Sequence, residues 1–133
     1  MRLSNAPCPC ESGKSYNTCC APLHKGLAAP TAEALMRSRY TAFALAEFYP
    51  SLEEYLLQTW HVDTRPAALN LAEDPPTKWL GLQIKRTETL GETAIVEFVA
   101  RYKIAGKAER LHEISQFERL DDRWYYLVGN YPD

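Results

Sequence analysis

The chain has no run of about 20 apolar residues, the length that a membrane-spanning helix requires. It also lacks an excess of charge of one sign, since 15 lysines and arginines stand against 17 aspartates and glutamates. A formal net charge of −2 gives no general attraction to nucleic acid or to an anionic membrane. Residues 1–7 lack the apolar core of a secretory signal peptide. We therefore expect a cytoplasmic protein with no membrane span.

Cysteine is absent from most of the chain, and all four cysteines lie within positions 8–20. Thiols stay reduced in the cytoplasm, which disfavours disulfides and favours metal binding. Four thiolates complete the tetrahedral ligand set of a zinc ion and leave no open position for catalysis. We therefore predict one structural Zn²⁺ ion bound by Cys8, Cys10, Cys19 and Cys20.

Other interpretations of the cysteine cluster stay open at this stage. Four cysteines allow three pairings into two disulfides, and an iron–sulfur or redox site is a further alternative. His24 lies close in sequence and offers a Cys3His ligand set in place of four cysteines. Ser12 and Gly13 supply the turn between the two cysteine pairs, and Lys14 offsets part of the negative charge.

The composition divides the chain into two parts. Residues 1–26 are rich in Pro, Gly, Ser and Cys and hold too few apolar side chains for a core of their own. Apolar residues make up 46% of the whole chain, so the remainder can build a core without disulfides. We predict a zinc-binding module over residues 1–26 and a folded domain over residues 27–133.

Helices are predicted in the first half of the larger part. Thr31 is a suitable N-cap for a helix that runs to about Glu47, and Pro50 prevents its continuation. The start of a second helix over 51–59 matches a capping box. A third short helix is predicted from Thr64 through about Leu71.

Strands are predicted in the second half, over Trp79–Thr87, Glu92–Ile104, Ala108–Leu120 and Trp124–Val128, with turns between them. Alternation of apolar residues places two sets of side chains on the buried face of the sheet. One set is Ala94, Val96, Phe98, Ala100 and Tyr102, and the other is Leu111, Glu113, Ser115 and Phe117. Helices followed by an antiparallel meander define an α+β fold.

The cysteine segment resembles a known motif. The order Cys-Pro-Cys-Glu-Ser-Gly over 8–13, followed by Cys-Cys at 19–20, is similar to the SEC-C motif at the C-terminus of the SecA translocation ATPase. That motif binds metal and serves binding to a chaperone partner. The resemblance implies a metal-binding role for the four cysteines and an interaction with a protein partner.

Nearly the whole chain resembles the YchJ-like bacterial family. The matching segments are residues 20–24, 34–43, 55–56, 59–61, 79–82, 96–102 and 124–126. The family implies a SEC-C motif followed by a cone-shaped α+β domain of the nuclear-transport-factor-two-like type, a cystatin-like roll with helices packed on a curved sheet. No biochemical activity is firmly assigned to the family.

A cone-shaped fold often encloses a cavity at its open end, and polar and aromatic residues of this chain are expected to line it. Glu97 and Arg101 share a face that is opposite to Val96 and Phe98, and His112 and Glu113 point to opposite faces. The candidate pocket residues are Trp60, His61, Trp79, Glu97, Arg101, Glu113, Ser115 and Tyr126. The favoured alternative for the charged residues is structural ion pairing between helices and sheet.

Two functions follow. The first is a zinc-stabilised module that binds a protein partner, and the second is a small-molecule binder or acid–base enzyme that uses the cavity. The residues do not identify an enzyme. Nucleic acid is not an expected partner, because Glu11 and the acidic total oppose phosphate binding.

Overall fold

The computed structural model describes residues 5–73 and 77–132, where three helices precede four strands. The strands form one antiparallel sheet in the order β1-β2-β3-β4. The elements are α1 (Ala21–His24), α2 (Ala32–Leu45), α3 (Leu52–Gln58), β1 (Thr77–Leu90), β2 (Thr93–Ile104), β3 (Lys107–Leu120) and β4 (Arg123–Asn130). Packing of the helices on this sheet confirms the predicted α+β architecture.

The longest helix, α2, begins as its sequence predicts. The side-chain oxygen of Thr31 accepts a hydrogen bond of 3.0 Å from the backbone N–H of Ala34, which satisfies one of the unpaired donors of the first turn. The helix ends at Leu45, two residues before the predicted end. The second predicted helix is α3, but its capping box does not form. Ser51 already has a helical backbone and makes no capping bond with its side chain.

The central strands have the predicted faces. Val96 lies opposite Ser115, and Phe98 lies opposite Glu113, so these side chains share the face covered by the helices. Val96 and Ser115 have no exposed surface at all. The β2–β3 turn is the predicted hairpin, with positive φ angles at both Ala105 and Gly106.

The helix predicted from Thr64 through Leu71 is wrong. This segment forms a turn and extended chain, followed by a single 3₁₀ turn at Leu71–Glu73. The hydroxyl of Thr64 donates to the carbonyl of Leu127 in β4 at 2.6 Å, and Arg65 donates to the carbonyl of Trp60. These bonds hold the segment against the sheet, where the contacts outweigh its local helix signal.

Candidate functional site

The cysteine segment is a closed loop. Pro7 and Ser15 form an antiparallel bridge, and the backbone N–H of Cys8 donates to the carbonyl of Lys14 at 2.9 Å. The chain reverses within this bridge. Gly13 has a φ of 88°, a value that side chains disfavour, which accounts for glycine in the predicted turn.

The loop and the segment after it bring the four thiols together. All four Sγ atoms lie within 4.8 Å of one another. The separations are 3.6 Å for Cys10–Cys19 and 3.9 Å for Cys19–Cys20. A tetrahedral zinc ion with Zn–S bonds of about 2.3 Å has sulfur–sulfur edges of about 3.8 Å. The four thiols, all of them unbridged, therefore fit one metal ion as a complete ligand set.

Helix α2 supports this cluster from the inside. Cys8, Cys10 and Cys20 are buried, and Cys19 is the one partly exposed cysteine. The hydroxyl of Thr41, on α2, lies 3.6 Å from the Sγ of Cys8 and 3.4 Å from that of Cys20. Such outer contacts orient the ligands of a metal.

The thiols of the cluster differ in pKa, which is lowered for Cys10 and raised for Cys8 and Cys20. Hydrogen bonds from Cys20 and Cys8 lower the pKa of the Cys10 thiol. The contact with Cys10 in turn raises the pKa of Cys20, because Cys20 acts as the donor to a thiolate. Arg37 adds a positive charge nearby, and its Nη1 donates to the carbonyl of Cys10 at 2.7 Å.

His24 does not complete the ligand set. One ring nitrogen lies 2.7 Å from the hydroxyl of Tyr16, and the other lies 2.9 Å from the carbonyl of Ser38. Both nitrogens are therefore engaged away from the thiols, and the Cys3His alternative does not match the structure. Burial lowers the pKa of His24, since the charged ring would lose its water.

A hydrogen bond from the sheet also holds the cysteine loop. The Oε2 of Glu11 accepts a hydrogen bond of 2.5 Å from the backbone N–H of Leu82, beside a register shift in β1. Gly81 makes room for this carboxylate, because a Cβ there would lie 2.7 Å from the same oxygen. The cysteine loop is thus fastened both to α2 and to the edge strand β1.

A separate cavity of about 260 Å³ lies between α2 and the inner face of the sheet. Five of the predicted pocket residues line it: Trp60, Trp79, Glu113, Ser115 and Tyr126. Most of the remaining wall is apolar, with aromatic rings from α2 and from the end of the chain. Four aromatic residues line the cavity beyond those predicted: Tyr40, Phe43, Phe98 and Tyr131.

The other three predicted residues do not line this cavity. Thr59 and His61 pair with the backbone of Tyr126 in β4, and the extended chain turns His61 away from Trp60. The ring of His61 bonds to Glu118 at 2.8 Å instead. Glu97 and Arg101 lie on the opposite face of β2, as their alternation requires.

Glu97 is paired, but its partners lie on neighbouring strands, so the pair does not join a helix to the sheet as predicted. Glu97 accepts from His112 at 2.7 Å and from Arg86 at 3.3 Å. Arg101 is exposed. Neither side chain reaches the cavity, because successive residues of a strand point to opposite faces.

The carboxylate of Glu113 is the buried negative group of the cavity. Its Oε2 accepts hydrogen bonds from Ser115 and, at 3.5 Å, from the hydroxyl of Tyr126. Burial and then the charge of Glu113 raise the pKa of Tyr126. Gly129 leaves room for this carboxylate, because a Cβ at that position would overlap it.

The positive group of the cavity is Arg39, which is not among the predicted pocket residues. Its Nη1 donates to the carbonyl of Leu56 at 2.7 Å and to the hydroxyl of Thr59 at 2.6 Å. The guanidinium also lies 5.2 Å from the ring centre of Trp60 and 4.8 Å from that of Tyr126. Burial lowers its pKa to about 10. Helical periodicity alone gave no signal for this position, because it does not distinguish a buried arginine from a solvated one.

The fold and the thiol cluster define a class: an NTF2-like α+β domain that carries a SEC-C motif. The family model described as "YchJ, middle NTF2-like domain" matches residues 31–129, and the SEC-C motif matches residues 5–22. The chain belongs to the YchJ family, whose curated members carry the name UPF0225.

Similar proteins agree with this assignment over nearly their full length. A UPF0225 protein of Chromobacterium violaceum is 52% identical, covering 96% of this chain and 95% of that protein. A UPF0225 protein of Bordetella parapertussis is 51% identical, covering 96% and 94%.

Two solved structures share the fold. The solution structure of a SEC-C motif containing protein from Rhodopseudomonas palustris has a TM-score of 0.82 and 36% identity, covering 95% of this chain and 98% of that one. The crystal structure of a SEC-C motif containing protein from Psychrobacter arcticus has a TM-score of 0.77 and 28% identity, covering 100% and 86%. Among the helices that the structure describes, none has the length and apolarity needed to cross a bilayer.

Proposed function

We propose that the protein is a zinc-stabilised interaction module of the cytoplasm. Residues 1–26 form the metal module, and residues 27–133 form the domain that carries it. One Zn²⁺ ion, bound by Cys8, Cys10, Cys19 and Cys20, holds the loop in shape for a protein partner. The observation that carries this proposal is the approach of four unbridged thiols to within 4.8 Å.

The chemistry of a closed ligand set favours a structural metal. Four thiolates occupy every position of a tetrahedral ion, so that no site remains for a substrate. The ion would supply cross-linking of the loop, which has too few apolar residues to hold its shape alone. The resemblance to the SecA tail motif supports a protein as the partner.

A groove beside the thiols offers a surface for that partner. It has a volume of about 460 Å³ and lies between the cysteine loop and the first turns of α2. Lys14 and Arg37 line it together with Cys19, the cysteine with partial exposure. A partner bound there would contact the loop whose shape depends on the metal.

The test combines metal analysis with site-specific cross-linking. We expect one equivalent of zinc in protein purified without added metal. A photo-cross-linking amino acid at Lys14 should then capture one discrete protein in cells. The same group at the exposed Lys107 of the β2–β3 hairpin, which does not line the groove, should not. The cross-link should disappear in Cys10→Ser. A cross-link that persists in that variant, or none at position 14, would contradict the proposal.

A second function is proposed for the cavity, namely binding of a small molecule. The observation that favours it is the pairing of a buried carboxylate with an apolar space of about 260 Å³. Buried charge is costly unless something compensates it, and a bound ligand would do so. Toluene and small polar probes, followed by tryptophan fluorescence, test this function. If none of these probes binds, the proposed ligand-binding function is contradicted.

A further inference from the structure

The cavity contains hydrogen-bond donors that the protein leaves unused. Arg39 is 4% exposed, and among the described residues it donates only through Nη1. Every enclosed side-chain nitrogen or oxygen in the described part of the chain has a hydrogen-bond partner. The Nε and Nη2 groups of Arg39 must therefore reach open space, and the cavity is the space that this side chain lines.

The unused edge of the Arg39 guanidinium has the geometry to bind a carboxylate. Nε–H and Nη2–H point in parallel, and this pair matches the two oxygens of a carboxylate. Aromatic rings lie against the group, and its Nη1 is fixed on a backbone carbonyl and a hydroxyl. A fixed guanidinium loses little freedom when a carboxylate binds to it.

The cavity also contains an unused acceptor. Glu113 is 7% exposed, and both of its hydrogen bonds from described residues go to Oε2. Its Oε1 is therefore available to a donor in the cavity, by the same reasoning as for Arg39. The ring of Tyr126 lies between the two charges, since its face contacts the guanidinium and its hydroxyl points at the carboxylate.

We propose that the cavity binds a small zwitterionic amino acid with an apolar side chain. Its carboxylate pairs with the Nε–Nη2 edge of Arg39, and its ammonium group donates to Oε1 of Glu113. Its side chain packs on the aromatic wall formed by Tyr40, Phe43 and Trp79. This proposal rests on the ligand-binding function proposed above for the cavity and specifies its ligand.

Charge matching favours this ligand over simpler ones. An amine without a carboxylate leaves Arg39 unpaired and adds a second positive charge beside it. A carboxylate without an amine places its charge near Glu113. A neutral apolar molecule removes water from both groups and pairs neither, which is unfavourable. A volume of about 260 Å³ is below the roughly 300–1,000 Å³ of drug-sized sites, and it suits a single amino acid.

The experiment compares amino acids with analogues that lack one charge. Tryptophan fluorescence of the full chain reports binding, because Trp60 and Trp79 line the cavity. The probes are L-phenylalanine and L-leucine, with phenethylamine, 3-phenylpropionate, isoamylamine and 4-methylpentanoate as the analogues. We expect at least one amino acid to bind about tenfold or more tightly than both of its analogues, because each lost charged hydrogen bond weakens binding by that order.

Variants test the assigned residues. Glu113→Gln and Arg39→Lys should each weaken amino-acid binding about tenfold. Glu97→Gln is the matched control, because this carboxylate lies on the other face of the sheet, and it should leave affinity unchanged. If Arg39→Lys does not fold, Glu113→Gln and the analogue series decide the matter.

Several results would overturn the proposal. An analogue that binds as tightly as its amino acid would do so, as would an unchanged affinity in Glu113→Gln. Binding of toluene without binding of either amino acid would reject the zwitterionic ligand and leave the ligand-binding function intact. Absence of binding by every probe would reject both.

Discussion

The thiol cluster and the cavity lie on different faces of α2, and they are built in different ways. Arg37 and Thr41 of this helix contact the cysteine segment. Arg39, Tyr40 and Phe43 line the cavity. The cluster gathers its chemical groups from one short segment, whereas the cavity takes its charges from α2 and β3. One helix therefore supports a local site and a site that only the complete fold can form.

Loss of a buried cysteine should have the largest effect on metal binding and stability. It also tests how far the thiol cluster and the cavity depend on each other. Cys10→Ser removes one of four ligands and should abolish metal binding, which in zinc-finger peptides contributes roughly 10–16 kcal/mol. Residues 5–26 should then lose their amide order. Metal analysis and amide spectra measure both effects.

The cavity should keep its shape in Cys10→Ser if the two sites are independent. Cys8, Cys10 and Cys20 share one buried cluster with Leu35 and other residues of α2, so we expect lower stability but a folded domain. The exposed Asn17→Ala is the control within the same segment. A stoichiometric metal content in Cys10→Ser would contradict the assignment of this ligand.

Two arginines of α2 allow a matched comparison of its faces. Arg39→Ala removes the 2.7 Å hydrogen bond to the carbonyl of Leu56, which keeps a longer bond of 3.3 Å from the hydroxyl of Thr59. It also removes the donor to that hydroxyl, and we expect a loss of about 2–3 kcal/mol in the free energy of unfolding. Arg37→Ala removes a partly exposed donor to Cys10, and we expect about 1 kcal/mol. Urea unfolding of metal-loaded protein measures both. Equal losses would mean that the two faces contribute alike.

Loss of the contact between the cysteine loop and β1 should lower the free energy of unfolding by a moderate amount. Gly81→Ala forces the Glu11 carboxylate away from the N–H of Leu82, and we expect a loss of about 1–2 kcal/mol. Glu11→Ala should cost a similar amount. The double variant should lose little more than either single variant, because both remove the same bond. Additive losses in a double-mutant cycle would show that the contact does not join the regions.

An exposed ion pair that belongs to neither site should have the smallest effect on stability. Hydrogen bonding from Arg119 lowers the pKa of the Glu92 carboxyl below 4.5. Because this pKa is lower in the folded state, the stabilisation is present above about pH 4.5 and is lost as the pH falls through the folded pKa. Carbon NMR titration of Glu92 should show the low midpoint, and Arg119→Gln should raise it. An unchanged midpoint would exclude the pair as its cause.

The strands and the two longer helices were predictable because their signals are local. The capping threonine at Thr31 and the alternation from Ala94 to Tyr102 act over a few residues, and the structure retains both. The helix predicted from Thr64 failed because Thr64 bonds to Leu127, a residue far along the chain. A local pattern contains no information about such a partner.

The sequence by itself determined the thiol cluster, because its four donors lie within thirteen residues. The bridge between Pro7 and Ser15 and the turn at Gly13 reverse the chain, and the segment after them brings Cys19 and Cys20 next to the first pair.

Strand alternation predicted that Glu113 faces the cavity, but only the tertiary structure decided that Arg39 does and that His61 does not. It turned His61 away from the cavity, where the ring stays buried against Glu118, and Arg39 toward it, because strand pairing with Tyr126 and helix packing set these directions. Side-chain direction depends on what packs against each element, and those neighbours are distant in sequence.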